Sequence, residues 1–178
     1  MKKLFLLTVL TVLSFTTVKA QEGFNLGAFI GLPVADGTDY ATFSAGLDVN
    51  YLFGINEKFS VGPATGYSHS FGDTYYGLDY DDTQFIPIAG AGRFNINEMF
   101  TVGLDLGYAV GINDGNDGGF YYRPMFGYNI NDKIQVNASY RGVRSSYDSG
   151  YYDGYNYYYR SVDSNFGILS VGASFNLN

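Results

Sequence analysis

Few residues in this chain of 178 could do chemistry, and their spacing works against it. The single histidine, His69, lies between Ser68 and Ser70, and there is no cysteine. A serine nucleophile needs an imidazole within hydrogen-bond reach. In an extended strand neighbouring side chains point to opposite faces, so both serines turn away from His69. No catalytic residue is therefore expected. One histidine without cysteines also predicts no zinc centre. The run Asn113-Asp114-Gly115-Asn116-Asp117-Gly118 has the oxygens and glycines of a calcium loop but lacks the closing Glu. Asn, Asp and Gly in such a run also build ordinary turns. Neither metal nor cofactor is expected.

Five other charges draw attention by their company: Asp48, Arg93, Asp105, Arg123 and Arg141. Each occupies the small or polar position of a two-residue alternation. Leu47, Val49, Tyr51 and Phe53 alternate with Gly46, Asp48, Asn50 and Leu52. Val102, Leu104, Leu106 and Tyr108 alternate with Gly103, Asp105 and Gly107, and Phe120, Tyr122, Phe126 and Tyr128 with Tyr121, Arg123 and Gly127. One face is large and apolar, the other small or polar. No helical period appears after residue 21.

Three short turns punctuate these stretches: Gly54-Ile55-Asn56-Glu57-Lys58-Phe59, Asn95-Ile96-Asn97-Glu98-Met99-Phe100 and Asn129-Ile130-Asn131-Asp132-Lys133-Ile134. They alternate with longer polar connections at 34–40, 73–83, 113–118 and 145–161. The strands then fall near 23–33, 41–54, 59–72, 84–96, 99–112, 119–130, 134–144 and 162–178. Pro63, Pro87 and Pro124 interrupt them, and since proline removes a ladder donor, bulges or strand ends are expected there.

Composition agrees. Gly (24), Tyr (18) and Phe (15) favour strands and turns, and charged residues make up only 15%, against about 25% in soluble domains. Residues 1–20 read as an export signal. Lys2 and Lys3 precede the apolar stretch Leu4–Phe15, and small residues surround a cleavage point after Ala20. That stretch is shorter than the roughly 20 residues that span a bilayer. Once Lys2, Lys3 and Lys19 leave with the leader, residues 21–178 carry a net charge of −10, which excludes nucleic acid as an expected partner.

The expected domain at 21–178 is an all-β, closed, antiparallel up-and-down eight-stranded transmembrane β-barrel. In hydrocarbon every backbone polar group must be paired, so a sheet crosses only if it closes. Such barrels use strands of about 9–11 residues, apolar outside and polar inside, with short turns at one end and long loops at the other. A soluble carrier barrel needs the reverse, an apolar lumen and a polar exterior.

The last strand sharpens this. Ser170-Val171-Gly172-Ala173-Ser174-Phe175-Asn176-Leu177 resembles the terminal signal of the small outer-membrane β-barrels, the group of OmpX and OmpA-type barrels, in the order polar, any, Gly, any, any, aromatic, any, apolar. Asn178 follows where many members end on an aromatic. The resemblance extends over residues 22–178. It implies a monomer in the outer membrane of a Gram-negative bacterium, surrounded by lipid and lipopolysaccharide. It also implies that Ser170, Gly172, Phe175 and Leu177 are read by the outer-membrane assembly machinery. Some such barrels modify lipid A with a Ser and a His, an arrangement that the Ser-His-Ser run here departs from.

Eight strands leave a lumen that side chains can fill. A hairpin centred near Asp132 sets Arg123 opposite Arg141. Asp105, one strand from both Arg93 and Arg123, is the expected counter-charge, with Asp48 reaching across. This would plug the barrel; the alternative is a narrow passive porin-like channel. The loops carry Tyr75, Tyr76, Tyr80, Tyr151, Tyr152, Tyr155 and Tyr157 among Gly, Ser and Asp, residue types of adaptable contact surfaces. A structural or surface-interaction role through them is the expected function.

Overall fold

The computed structural model describes residues 22–39, 41–75, 78–79, 81–114, 116–152 and 157–177; over 74–79 and 147–160 only the backbone is described. The proposed leader at 1–20 lies outside this range. The strands in chain order are β1 (Gly23–Ala35), β2 (Ala41–Gly54), β3 (Phe59–Gly72), β4 (Thr74–Tyr75), β5 (Leu78–Asp79), β6 (Thr83–Asn95), β7 (Phe100–Gly111), β8 (Gly119–Asn129), β9 (Ile134–Tyr152) and β10 (Tyr157–Asn176). β4 and β5 form a small hairpin of their own. The other eight close into an antiparallel barrel in the order β1-β10-β9-β8-β7-β6-β3-β2.

Closure comes from β1 pairing with β10, in register from Asn25 opposite Asn176 to Ala35 opposite Phe166. Every long strand then has two neighbours, so the wall exposes no free edge to lipid. The outward face is the apolar one. Ile30, Leu32, Leu47, Ile88, Leu104, Leu106, Leu169 and Val171 stand exposed around its middle. Aromatic residues ring both ends. On the short-turn side Tyr51 meets Phe53 at 4.7 Å between ring centroids, and Phe100 meets Phe126 at 5.6 Å. On the long-loop side Phe43 stacks on Phe71, and Tyr122 contacts Tyr140. Aliphatic centre and aromatic rims are the pattern of a wall immersed in hydrocarbon between two interfaces.

The three short turns share one geometry. Asn56 Oδ1 accepts the N–H groups of Lys58 and Phe59, Asn97 Oδ1 those of Met99 and Phe100, and Asn131 Oδ1 those of Lys133 and Ile134, all at 2.8–3.0 Å. The side-chain oxygen takes over two donors that the reversing chain would otherwise leave to water. Replacing Asn97 with Ala removes both bonds, and a loss of about 1–2 kcal/mol is expected, readable as a lowered urea midpoint of the refolded barrel.

Two sequence expectations need correction. The prolines sit inside strands without bulges. Pro63, Pro87 and Pro124 each leave a gap in one ladder, β2–β3, β3–β6 and β8–β9 respectively, and the register is the same on both sides of the gap. Each keeps a partner on its other side: Gly90, Ala109 and Leu104. A proline lacks one donor, so one ladder bears the loss. The register shift of β2–β3 falls instead between Ala41 and Phe43. Second, most of 145–161, read as loop, is strand. β9 and β10 stay paired from Phe175 opposite Ile134 to Tyr157 opposite Tyr152. Beyond the lipid there is no need for apolar alternation, so this part of the hairpin carries no such signal.

Candidate functional site

Inward positions of β2, β6, β7, β8 and β9 bring all five lumenal charges together. Arg141 forks onto Asp48, Nη1 to Oδ1 at 2.8 Å and Nη2 to Oδ2 at 2.7 Å. Arg123 bridges the two acids, at 3.1 Å from Asp48 and 3.3 Å from Asp105. Arg93 closes the chain on the other oxygen of Asp105. Asp105 is only 2% exposed. The guanidinium groups find further acceptors: Arg123 donates to Ser139 and Asn137, Arg141 to Ser170, and Arg93 to the Gly92 carbonyl. Phe29 lays its ring 3.4 Å from Arg141 Cζ, a cation–π contact on the face that the carboxylate leaves free.

Two glycines make this packing possible. A Cβ at Gly46 would lie 2.4 Å from the Phe29 ring, and one at Gly103 would lie 2.7 Å from Arg93 Cδ. The register through Tyr122–Gly142 and Met125–Ser139 places Arg123 opposite Arg141, where Asp48, from the far wall, separates them electrostatically.

Above the charges, towards the long loops, the lumen is apolar. Phe85, Ala109, Tyr121 and Val143 are buried against one another, with Ala89 and Phe166 packed on them. Sequence reasoning missed this layer. Its signal was the runs Phe85-Ile86, Tyr121-Tyr122 and Ile168-Leu169, where alternation lapses because both faces are apolar. Below the charges lies a polar layer: Thr101 donates to Asn95, Gln135 to Asn129, and Asn25 to Asn50. Two cavities beside the network are about 10 Å³ each, one lined by Asp48, Ser68, Tyr121 and Arg141, the other by Asp48, Asp105, Tyr121 and Arg123. Each has room for about one water.

At the outer rim His69 faces outward and joins two partners. Its Nδ1 lies 2.9 Å from Tyr67 Oη and its Nε2 2.9 Å from Asp82. Asp82 also accepts the Gly72 N–H at 2.9 Å. Ser70 points inward to Ser44, at 2.7 Å, and Ser68 is inward and buried, with no hydrogen-bond partner among the described residues. Neither serine reaches the imidazole.

Asn113 donates to the Asp82 carbonyl and accepts the Gln84 N–H, while Asn116 donates to the Gln84 carbonyl and accepts the Gly118 N–H. These asparagine oxygens serve the turn and bind the second long connection to the third. The Gly72 N–H, followed by the His69 bond, holds the Asp82 carboxyl below the usual carboxylate range. A depressed pKa contributes stability that is present above the ordinary value, about 3.9, and lost as pH falls through the lowered one. The Gly72 amide is therefore expected to stay protected from exchange at neutral pH and to lose protection only in stronger acid. Asp82→Ala should expose it already at neutral pH, as amide exchange in micelles would read.

Of the proposed assembly-signal residues, Ser170 and Gly172 face the lumen, and Phe175 and Leu177 are outward and half exposed. Tyr76, Tyr80 and Tyr155 lie outside the described residues. The backbones of Tyr75, Tyr151, Tyr152 and Tyr157 are strand, and their side chains lie outside the description.

A closed eight-stranded wall, aliphatic and aromatic outside and polar at its centre, defines a transmembrane β-barrel. The chain has the fold of the small eight-stranded outer-membrane β-barrels. Ail, the attachment invasion locus protein of Yersinia pestis, superposes with a TM-score of 0.53 at 17% identity, over 86% of this chain and 98% of Ail. Neisserial surface protein A matches with a TM-score of 0.48 at 16% identity, over 88% of this chain and 98% of that one. OprG of Pseudomonas aeruginosa matches at 0.47 and 14% identity, over 88% and 98%. No protein-family model matches the chain, and no curated protein matches it.

Proposed function

We propose that this chain is an integral outer-membrane barrel of a Gram-negative bacterium. Its lumen is closed, and its working part is the β9–β10 ribbon presented outside the cell. The observation that carries this reading is the contrast between the two ends of the molecule. Inside, three arginines and two aspartates fill the middle of the lumen, and an apolar layer caps them. An ion entering would have to strip its water in that apolar layer and then displace paired charges. Outside, β9 continues to Tyr152, although its last β8 partner is Arg144. β10 extends equally beyond Phe166, its last contact with β1. A two-stranded ribbon thus rises from the rim; among the described residues neither edge pairs with a further strand above its foot, where Asp36 accepts the Asn165 N–H, and its sequence is rich in Tyr, Ser and Gly. Free strand edges and tyrosines are binding features rather than transport features.

Ail has been solved with the heparin analogue sucrose octasulfate. The net charge of −10 over residues 21–178 favours less acidic partners here, since a polyanion would meet repulsion.

The test is a ribbon deletion. Residues 146–163 are replaced by a short Asn-Gly turn, and adherence of expressing cells to protein- and glycan-coated surfaces is compared with that of full-length cells. Loss of adherence with the barrel still inserted, shown by its heat-modifiable gel mobility, is the expected result. Unchanged adherence would remove the ribbon from the function.

A further inference from the structure

A polar cleft of about 650 Å³ opens on the outward side of the wall, above the outer aromatic ring. It exists because β8 and β9 differ in length. Phe120 and Arg144 are their outermost partners. Beyond them the turn 116–118 forms one side of the cleft and the foot of the β9–β10 ribbon the other.

The floor is aromatic. Tyr108 and Phe120 are register partners on β7 and β8, exposed by 50% and 51%. Tyr108 Oη donates to the Asp117 carbonyl at 3.0 Å, which fixes the turn over the ring. The sides carry Asn116, Asp117, Arg144 and Ser146. Arg144 is held from behind: its Nη2 donates to Asp163 at 3.0 Å, and the other oxygen of Asp163 accepts Ser146 Oγ at 2.6 Å. One edge of the guanidinium is spent on this contact; the group is 62% exposed and has further N–H donors for the cleft.

Two half-exposed rings under a few convergent planar and hydroxyl groups suit a ligand with one apolar face and a rim of hydroxyls. A sugar ring is such a ligand. Charge selects among sugars: Arg144 is offset by Asp163 and faces Asp117, so no surplus positive charge remains to hold a phosphate. Position selects the source. Outward-facing and just above the outer aromatic ring, the cleft lies at the level of lipid headgroups. We infer that it binds the uncharged sugar headgroup of a glycolipid in the outer leaflet, with Arg144 and Ser146 on the hydroxyls and Tyr108 and Phe120 beneath the ring. The inference rests on the membrane-barrel reading.

The test uses the full barrel in phosphatidylcholine nanodiscs. Digalactosyl diacylglycerol is added as a neutral sugar lipid, and phosphatidylglycerol in parallel as an anionic one. Amide NMR shifts at Gly118–Phe120 and Ser145–Ser146 are expected to move with the sugar lipid and not with phosphatidylglycerol. Arg144→Gln should weaken the response about tenfold, the effect of a lost hydrogen bond to a charged group, and Ser146→Ala should weaken it less. Phe71→Leu, across the barrel on β3, should leave it unchanged. Equal response to phosphatidylglycerol, shifts spread evenly around the rim, or indifference to both cleft variants would each overturn the site. Binding of the free disaccharide as strong as that of the lipid would overturn the headgroup assignment in favour of a soluble glycan. Failure of the membrane reading has a different signature: the chain would be absent from the nanodisc fraction.

Discussion

Replacing Asp105 with Ala will destabilise the barrel by about 3–5 kcal/mol, the cost of breaking a buried ion pair by removing one partner. Asp105 is the only carboxylate within bonding distance of Arg93 among the described residues, and it shares Arg123 with Asp48. Its removal leaves two guanidinium groups, each about 4% exposed, with one acid to serve three arginines. The urea midpoint of unfolding in micelles, followed by the loss of the fast-migrating unboiled gel band, reads the effect. Asp48→Ala should act in the same direction, since it releases the fork to Arg141. An unchanged midpoint in the Asp105 variant would mean that lumenal water, rather than the acid, satisfies the arginines. Replacing Arg93 and Asp105 together by apolar residues of similar volume should cost less than Asp105→Ala alone, because Arg93 is no longer stranded and Arg123 keeps Asp48.

Leu104→Arg will cost about 2–4 kcal/mol, and Val110→Arg about 0–1, the depth dependence of a cation on a lipid-facing wall. Both residues are outward on β7 and similarly exposed, 44% and 38%. Leu104 lies midway along the strand, whereas Val110 lies at its outer end. In water the two substitutions would be alike and nearly neutral. The difference between them, measured by reversible unfolding into urea from phospholipid vesicles, therefore reports the bilayer rather than the fold. Equal costs at both sites would contradict immersion of this surface.

Much of this arrangement is legible in the residues. Strict alternation on β7 and β10 names both faces, because a strand has no other period and the bilayer demands a uniformly apolar exterior. The recurring Ile-Asn-acid turns announce three hairpins, since an Asx side chain at that position can collect the two orphan donors. The meeting of Asp48 with Arg123 and Arg141 follows once β2 is placed across one narrow tube from β8 and its neighbour β9.

Other features depend on the third dimension. Phe85, Val143 and Phe166 come from three strands far apart in sequence and form an apolar layer only after closure. The prolines mislead because a missing donor is charged to one ladder while the closed ring holds register through the other. The partnership of His69 with Asp82 rests on the path of a connecting segment, which no periodicity encodes. The ribbon is hidden because, above the membrane, tyrosine, serine and glycine serve a strand as well as a loop.

The most direct test of the closed lumen is single-channel conductance of the refolded barrel in a planar bilayer, with folding confirmed beforehand by the faster unboiled gel band. A plugged lumen predicts silence across the applied voltages. Reproducible, ion-selective steps from the folded protein would contradict it and would make Asp48, Asp105 and the three lumenal arginines the lining of a pore.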